Sequence, residues 1–481
     1  MHSIDSAIVV AYLLGVFALG SFFFRGQRSL ADYFLGQRQM PWWAAAFSGI
    51  ATILGAISFL GAPGQAFHSD LRFLQYRLGT PLAVFLVGWV MLPYFYRLQV
   101  FSIYEYLESR FDLRTRLWGG GQFFLLKFFY LSIGLYAPSL LFVEMTGLPL
   151  WLIVIGTGCF ITLYTTLGGI KAVIWTDTLQ LLILLAGLTS TGYLIAESSG
   201  GLAHVWHAAA AAGKLRLWDA SVDWETEYTI LNGILGGALV LLSQYGVNQA
   251  ELQKMMTTDT VQRARLALIC TMAIAALVGA LYFLTGAGLW VFYHAHPEKT
   301  LANVPPDRIF AKFILEELPP GFRGLLLAAV ASAAMSAASS VLNSLATVAS
   351  SDFLGRLGAT SMNVTRARYL TAAIGLSATL LALGVERFGN ILVLSTKLQN
   401  FFGGSLAGAF LLGMTSTRAT AAGAFWGMIL GTASVIALAR LAHVSWLWHG
   451  LSAAAVAYGG GYAISLLSQP GKRKSSLALH P

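Results

Sequence analysis

The stretch "FSGIATILGAISFLGAPGQAF" (residues 47–67) is long and apolar enough to cross a membrane, yet glycine recurs in it at positions 49, 55, 61 and 64. Glycine weakens a helix locally and lets the backbone open. An opened backbone exposes carbonyl groups, which at membrane depth are tolerated only where a protein cavity or an ion uses them. The stretch therefore predicts a broken membrane helix; close helix packing through small residues is the alternative.

The whole chain has the composition of a polytopic membrane protein. Its 481 residues are 57% hydrophobic and 11% charged, and the mean hydropathy is +0.68. Apolar runs predict an all-α protein with about thirteen membrane helices, since about twenty apolar residues suffice to span a bilayer. The first run lacks a basic segment and a cleavage site, so we expect it to be retained. The approximate spans are 5–24, 42–67, 78–98, 120–146, 149–167, 172–197, 228–250, 264–293, 323–353, 368–385, 389–413, 420–440 and 445–468.

The distribution of lysine and arginine predicts the orientation. With the N-terminus outside, about twice as many of them fall in cytoplasmic segments as in outer ones, as the positive-inside rule requires. This count assigns Lys254 to a cytoplasmic segment and Arg77 to an outer one. We expect a multi-pass protein of the cell membrane (the inner membrane in a bacterium) with a basic cytoplasmic tail at 469–481. The net charge of +9 then reflects topology, and no nucleic-acid partner is predicted.

Motifs of enzyme active sites are missing from the sequence. There is no metal-ligand spacing, nucleophile elbow or phosphate-binding loop. The two cysteines, Cys159 and Cys270, both fall inside predicted spans, which argues against a disulfide framework. We predict no enzyme activity, no catalytic residue and no metal ion other than sodium.

The segment "SAAMSAASSVLNS" (332–344) carries many hydroxyl groups in an apolar region. On a helix, residues three and four apart share a face. One stripe then holds Ala333, Ser336, Ser339, Ser340, Asn343 and Thr347. Such a stripe is typical of a helix packing face, but its oxygens also suit sodium, a hard cation.

A negative charge for such a cation is available in "TLGGIKAVIWTDTLQLLILL" (166–185). Asp177 lies one to two turns into this predicted span. A carboxylate at membrane depth normally pairs with a cation or faces a polar cavity. The alternative is an aspartate near a helix end that reaches the cytoplasmic surface after a turn at Gly168–Gly169.

A second glycine-rich interruption, "NGILGGALVLLSQYGVNQ" (232–249), follows five predicted helices after the first. An interrupted helix at the start of each of two five-helix blocks is typical of inverted-repeat transporters. The sequence therefore favours a transporter whose binding site lies near the two breaks.

At these motifs the sequence resembles the sodium/solute symporter family over nearly its whole length. The resemblance implies a LeuT-type five-plus-five inverted repeat, forming one domain over 1–481. It would consist of an extra helix at 5–24, repeats at 42–197 and 228–413, and two extra helices within 420–468. The resemblance is carried by "GGIKAVIWTDTLQ" (168–180), "SAASSVLNSLAT" (336–347), "ISFLGAPGQAF" (57–67), "NQAELQKMM" (248–256) and "GGSLAGAFLLGM" (403–414).

The resemblance implies one or two sodium ions. Sodium site one would use the backbone carbonyls of Ala51, Leu54 and Ala333 with the Ser336 hydroxyl. Many family members have a second hydroxyl at the position of Ala337, so this sequence lacks one ligand. Sodium site two, present in some members, would use the side chains of Asp177, Ser336, Ser339 and Ser340.

The substrate is predicted to be a small organic anion, such as a monocarboxylate or an acidic vitamin. Sugar is disfavoured because the positions at which sugar-transporting family members place polar side chains along the first broken helix hold Ile53 and Ile57 here, with only Ser58 polar. Lys127 and Lys397 lie within predicted spans, where an ammonium group needs an anion or must reach the surface. The segment "YLSIGLYAPSLL" (130–141) also resembles the branch that moves monocarboxylates, multivitamins and iodide. The candidate substrate residues are Ser58, Lys127, Tyr130, Asn248, Thr396 and Lys397.

Several other functions stay open. The chain could be a sodium-coupled symporter for a sugar, sialic acid or an amino acid. It could also be a sodium-independent exchanger, or a sensor with a transporter-like fold. The hydroxyl stripe and Asp177 favour the sodium-coupled symporter.

Overall fold

The computed structural model describes residues 2–299, 301, 304–356, 362–385, 391–441 and 444–468, with the side chains of residues 307 and 391–402 left out of the description. The regular structure of these residues is helical, and they contain no strand. The helices of ten residues or more are Ser3–Phe22, Trp42–Ile53, Ala56–His68, Leu113–Thr146, Leu150–Ser198, Leu202–Ala211, Ile230–Gly246, Val261–Ala295, Pro306–Glu316, Phe322–Val348, Val364–Ala382, Ile391–Thr415, Ala421–Leu441 and Leu447–Leu467.

The predicted class, an all-α polytopic membrane protein, is confirmed. In the described part of the chain, eight helices are long and apolar enough to cross a membrane, or up to ten if each bent pair is one span. The helices Val364–Ala382 and Ile391–Thr415 coincide with predicted spans but lie outside that count. The number thirteen and the division into repeats at 42–197 and 228–413 therefore stay predictions.

Two helices are broken where glycine interrupts the predicted spans. The first broken helix consists of Trp42–Ile53 and Ala56–His68, bent by 59°. The second broken helix consists of Ile230–Gly246 and Gln249–Met255, bent by 66°. Both predicted interruptions are confirmed. At each break a helix end lies inside the protein, where its last carbonyl groups lack the next turn as a partner.

The helix Leu150–Ser198, here called the Asp177 helix, joins two spans that were predicted as separate. It bends at Gly169, whose backbone is left-handed with φ 57° and ψ −156°. A Cβ atom on this residue would lie 2.7 Å from the carbonyl oxygen of Tyr33. Only glycine fits this conformation and this close contact. The bend directs the second half of the helix, with Asp177, into the protein.

The serine helix, Phe322–Val348, is almost entirely enclosed, and every residue from Leu326 to Val348 is buried. A buried ion pair fixes the chain just after the C-terminal end of the serine helix. Arg116 Nε donates to Asp352 Oδ1 over 2.7 Å, and the Ser102 hydroxyl donates to Asp352 Oδ2 over 2.6 Å. A buried charge pair is tolerated when further hydrogen bonds satisfy it. These bonds therefore fix the serine helix against its surroundings.

Candidate functional site

Asp177 lies at the meeting point of three helices and is fully buried. Its Oδ2 atom accepts hydrogen bonds from the Ser48 hydroxyl over 2.6 Å and from the Ser340 hydroxyl over 3.1 Å. The Thr52 and Ser340 hydroxyls lie 2.9 Å apart. The first broken helix, the Asp177 helix and the serine helix thus share one polar cluster. The alternative of a surface-seeking aspartate is wrong because Asp177 has no exposed surface.

Lys254 belongs to the same cluster. Its Nζ atom lies 3.3 Å from Asp177 Oδ2 and donates to the Ser48 carbonyl over 2.8 Å and to the Thr52 hydroxyl. The side chain is fully buried. Its assignment to a cytoplasmic segment is therefore wrong: the second broken helix turns inward after Asn248 and carries the lysine into the protein.

Two oxygen atoms of the cluster have no partner. Asp177 Oδ1 and the Ser336 hydroxyl are buried and make no hydrogen bond with the described residues. The Ser339 hydroxyl donates to the Ser336 carbonyl over 3.2 Å. Buried polar atoms are nearly always paired, so oxygens left free beside a carboxylate fit a cation. Among the residues predicted for sodium site two, Asp177 and Ser340 make a direct contact.

The break of the first broken helix faces the serine helix at the residues predicted for sodium site one. A Cβ atom on Gly55 would lie 3.2 Å from the Ala337 Cβ atom and 3.8 Å from the Ala333 carbonyl oxygen. Ala51 and Leu54 precede this break and are buried, as is Ser336. The break at Gly55 therefore lies next to Ala333, and the carbonyl ligands of sodium site one stay a prediction. Ala337 presents a methyl group here.

A cavity of about 410 Å³ lies between the two breaks. Four predicted substrate residues line it, namely Ser58, Lys127, Tyr130 and Asn248. Thr396 and Lys397 belong to the helix Ile391–Thr415, but their side chains lie outside the described residues. The cavity also contains polar residues that the sequence analysis missed, and these are Gln65, Arg77, Ser243 and Gln244.

The described lining of the cavity carries positive charge and no carboxylate. The Arg77 guanidinium lies 4.8 Å from the Tyr76 ring centre and also interacts with the Tyr245 side chain. Lys127 is 5% exposed, and its Nζ atom lies 4.8 Å from the Tyr130 ring centre. Two cations therefore face one cavity with aromatic rings as neighbours, which suits an anionic ligand.

Two expectations about this cavity need correction. Arg77 was assigned to an outer segment, but it lies on the helical segment Leu71–Leu98 and lines the cavity. A sugar was expected to lack hydrogen-bond partners, but the amides of Gln65, Gln244 and Asn248 supply them. The sequence argument considered three positions of the first broken helix, whereas Gln65 of the same helix and Gln244 and Asn248 of the second broken helix also line the cavity.

Comparisons with known proteins agree with this geometry. The model of the family described as "Sodium:solute symporter family" matches residues 33–431. The chain is 30% identical to the sodium/sialic acid symporter SiaT of Proteus mirabilis, covering 98% of this chain and 97% of that protein. It is 34% identical to the human sodium/iodide cotransporter over 85% of this chain and 64% of that protein. The sodium-dependent multivitamin transporter of the rabbit, Oryctolagus cuniculus, is 30% identical over 95% of this chain and 72% of that protein.

A solved structure has the same fold. The structure of a Na⁺-coupled sialic acid symporter, described as substrate-bound and outward-open with a novel Na⁺ site, matches with a TM-score of 0.89 at 29% identity. It covers 98% of this chain and 99% of that one. The predicted LeuT-type fold is confirmed.

Proposed function

Because the chain belongs to the sodium:solute symporter family, we propose that the solute it carries with sodium is a small organic anion. The protein is a multi-pass membrane transporter and not an enzyme. The proposal rests on one observation: Arg77 and Lys127 face a cavity whose described lining contains no carboxylate.

The energetics of buried charge support an anion. A charged residue at the centre of a membrane helix costs about 2.5–3.5 kcal/mol even on lenient scales, so Arg77 and Lys127 need compensation. A carboxylate can accept two parallel hydrogen bonds from a guanidinium, and Arg77 lines the cavity without a carboxylate among the described lining residues. The cavity volume of about 410 Å³ suits a small molecule. We assign Ser58, Tyr130 and Asn248 to hydrogen bonds or stacking with the solute.

Sodium is carried as cargo at sodium site one in this proposal. The carbonyls of Ala51, Leu54 and Ala333 and the Ser336 hydroxyl provide oxygen ligands at the first break. Sodium entering with the field gains about 2.3 kcal/mol per 100 mV, which can drive the solute inward. The proposed orientation has the N-terminus outside and the C-terminus in the cytoplasm, as the positive-inside rule predicts.

Sialic acid is a second candidate within the same class of solute. It combines a carboxylate with several hydroxyl groups and one amide group. The carboxylate suits Arg77, and the polar groups suit the amides of Gln65, Gln244 and Asn248. Two relatives of this chain are named as sialic acid symporters.

The first test is ligand-induced thermal stabilisation of the purified protein, measured in sodium and in potassium chloride. The panel contains sialic acid, lactate, biotin and iodide, with galactose as a neutral control. We expect at least one organic anion to raise the melting temperature in sodium and not in potassium, since a ligand stabilises the state it binds. Stabilisation by galactose alone would contradict the anion proposal. Equal stabilisation in potassium would contradict sodium coupling.

A further inference from the structure

The Lys254 ammonium group occupies a place built from three kinds of oxygen. It contacts the Asp177 carboxylate, the Ser48 carbonyl and the Thr52 hydroxyl. Carboxylate, carbonyl and hydroxyl oxygens are also what a hard cation binds. The Lys254 ammonium group is therefore a cation of the chain itself, and it occupies part of the polar cluster.

Resting on the proposed function, we propose that Lys254 is a fixed cation that competes with sodium for Asp177 and limits the wild-type protein to one bound sodium ion. The residues of sodium site two would then be present, but the positive charge of Lys254 would prevent a sodium ion from binding there. Sodium site one, which uses backbone carbonyls and Ser336, is left as the coupling site.

The charges around Asp177 already balance without a second sodium ion. Asp177 pairs with Lys254 over 3.3 Å, so the pair carries no net charge. The buried carboxylate of Glu251 acts electrostatically on both Lys254 and Lys127. A sodium ion added beside Asp177 would leave an excess positive charge among fully buried side chains, which is unfavourable.

The hydrogen bonds around Asp177 also disfavour a second sodium ion in the wild type. The Ser48 and Ser340 hydroxyls both donate to the oxygen that also faces Lys254, so their hydrogens point at the carboxylate. Only Asp177 Oδ1 and the Ser336 hydroxyl lack a partner among the described residues of the cluster. Removal of the lysine charge would take one contact from each of Asp177 Oδ2, the Ser48 carbonyl and the Thr52 hydroxyl, and would let a second ion approach them. We therefore expect a gain of sodium binding when Lys254 is neutralised.

The test counts sodium ions bound at equilibrium to the purified full-length protein, using radioactive sodium without any solute. The wild type should bind one ion with a Hill coefficient of about one, and Lys254→Met should bind two with a coefficient approaching about two. Lys254→Arg keeps the charge and should bind one. The double variant Lys254→Met/Asp177→Asn should also return to one. Lys171→Met, which removes a half-buried lysine outside the cluster, is the matched control and should behave like the wild type.

Each result decides the proposal. Two ions bound to the wild type would overturn it, whether or not Lys254→Met folds. One ion bound to folded Lys254→Met at unchanged affinity would overturn it as well. If the wild type binds no sodium at all, the proposed function fails first, which distinguishes the two claims.

Discussion

Replacing Arg77 by methionine is expected to raise the KM for the anionic solute about 100-fold while the sodium dependence changes little. Removing one partner of a buried, hydrogen-bonded charge pair costs about 2–5 kcal/mol, and each 1.4 kcal/mol is a factor of ten in affinity. Arg77 can form such a pair with the solute because it lines a cavity whose described residues include no carboxylate. The measurement is the initial rate of uptake against concentration of whichever anion stabilises the protein in sodium.

Two control variants separate charge from packing at Arg77. Arg77→Lys keeps the charge but loses the two-pronged geometry, so its KM should fall between those of the wild type and Arg77→Met. Arg97→Met removes an exposed arginine from the same helical segment and should leave the KM unchanged. An unchanged KM in Arg77→Met, with normal expression and folding, would show that the anion binds elsewhere.

Replacing Ser336 by alanine is expected to raise the sodium concentration for half-maximal uptake at least about tenfold. Ser336 supplies the one side-chain oxygen proposed for sodium site one, because Ala337 has none. Losing a bond to a charged group costs about 1.5–3 kcal/mol, which corresponds to at least about a tenfold change in affinity. The structure places the buried Ser336 hydroxyl beside the Asp177 carboxylate, in a position that suits a cation ligand.

Ser344→Ala is the matched control for Ser336→Ala. Ser344 is equally buried on the serine helix, but its hydroxyl already donates to the Val341 carbonyl over 2.7 Å. The substitution Ser344→Ala should therefore affect the stability of the protein and not its sodium dependence. If both variants show the same sodium dependence as the wild type, Ser336 is not a sodium ligand.

The sequence predicted the parts of the fold that depend on local composition. Glycine recurrence located both broken helices, and helical spacing gave the hydroxyl stripe, which is buried and from which Ser340 donates a hydrogen bond to Asp177. These features are visible because glycine acts on the backbone at its own position and because a stripe needs only helical periodicity.

The two residues that the sequence analysis misplaced, Arg77 and Lys254, both border a predicted span. A basic residue next to an apolar run is normally found at the membrane surface, so hydropathy alone assigns both to loops. Their actual positions depend on tertiary structure: the bend of the second broken helix turns Lys254 inward, and the helix carrying Arg77 begins earlier than its apolar part. A weak signal was available for Lys254 in the polar run "NQAELQK" (248–254), which directly follows the predicted interruption.

The most direct measurement of the central claim is uptake of a radiolabelled organic anion, chosen from the thermal panel, into proteoliposomes. An inward sodium gradient is compared with the same gradient of potassium at matched volume and pH. The account predicts that the anion accumulates transiently above its outside concentration with the sodium gradient and only equilibrates with potassium. Equal accumulation under both gradients would contradict sodium-coupled symport of an organic anion.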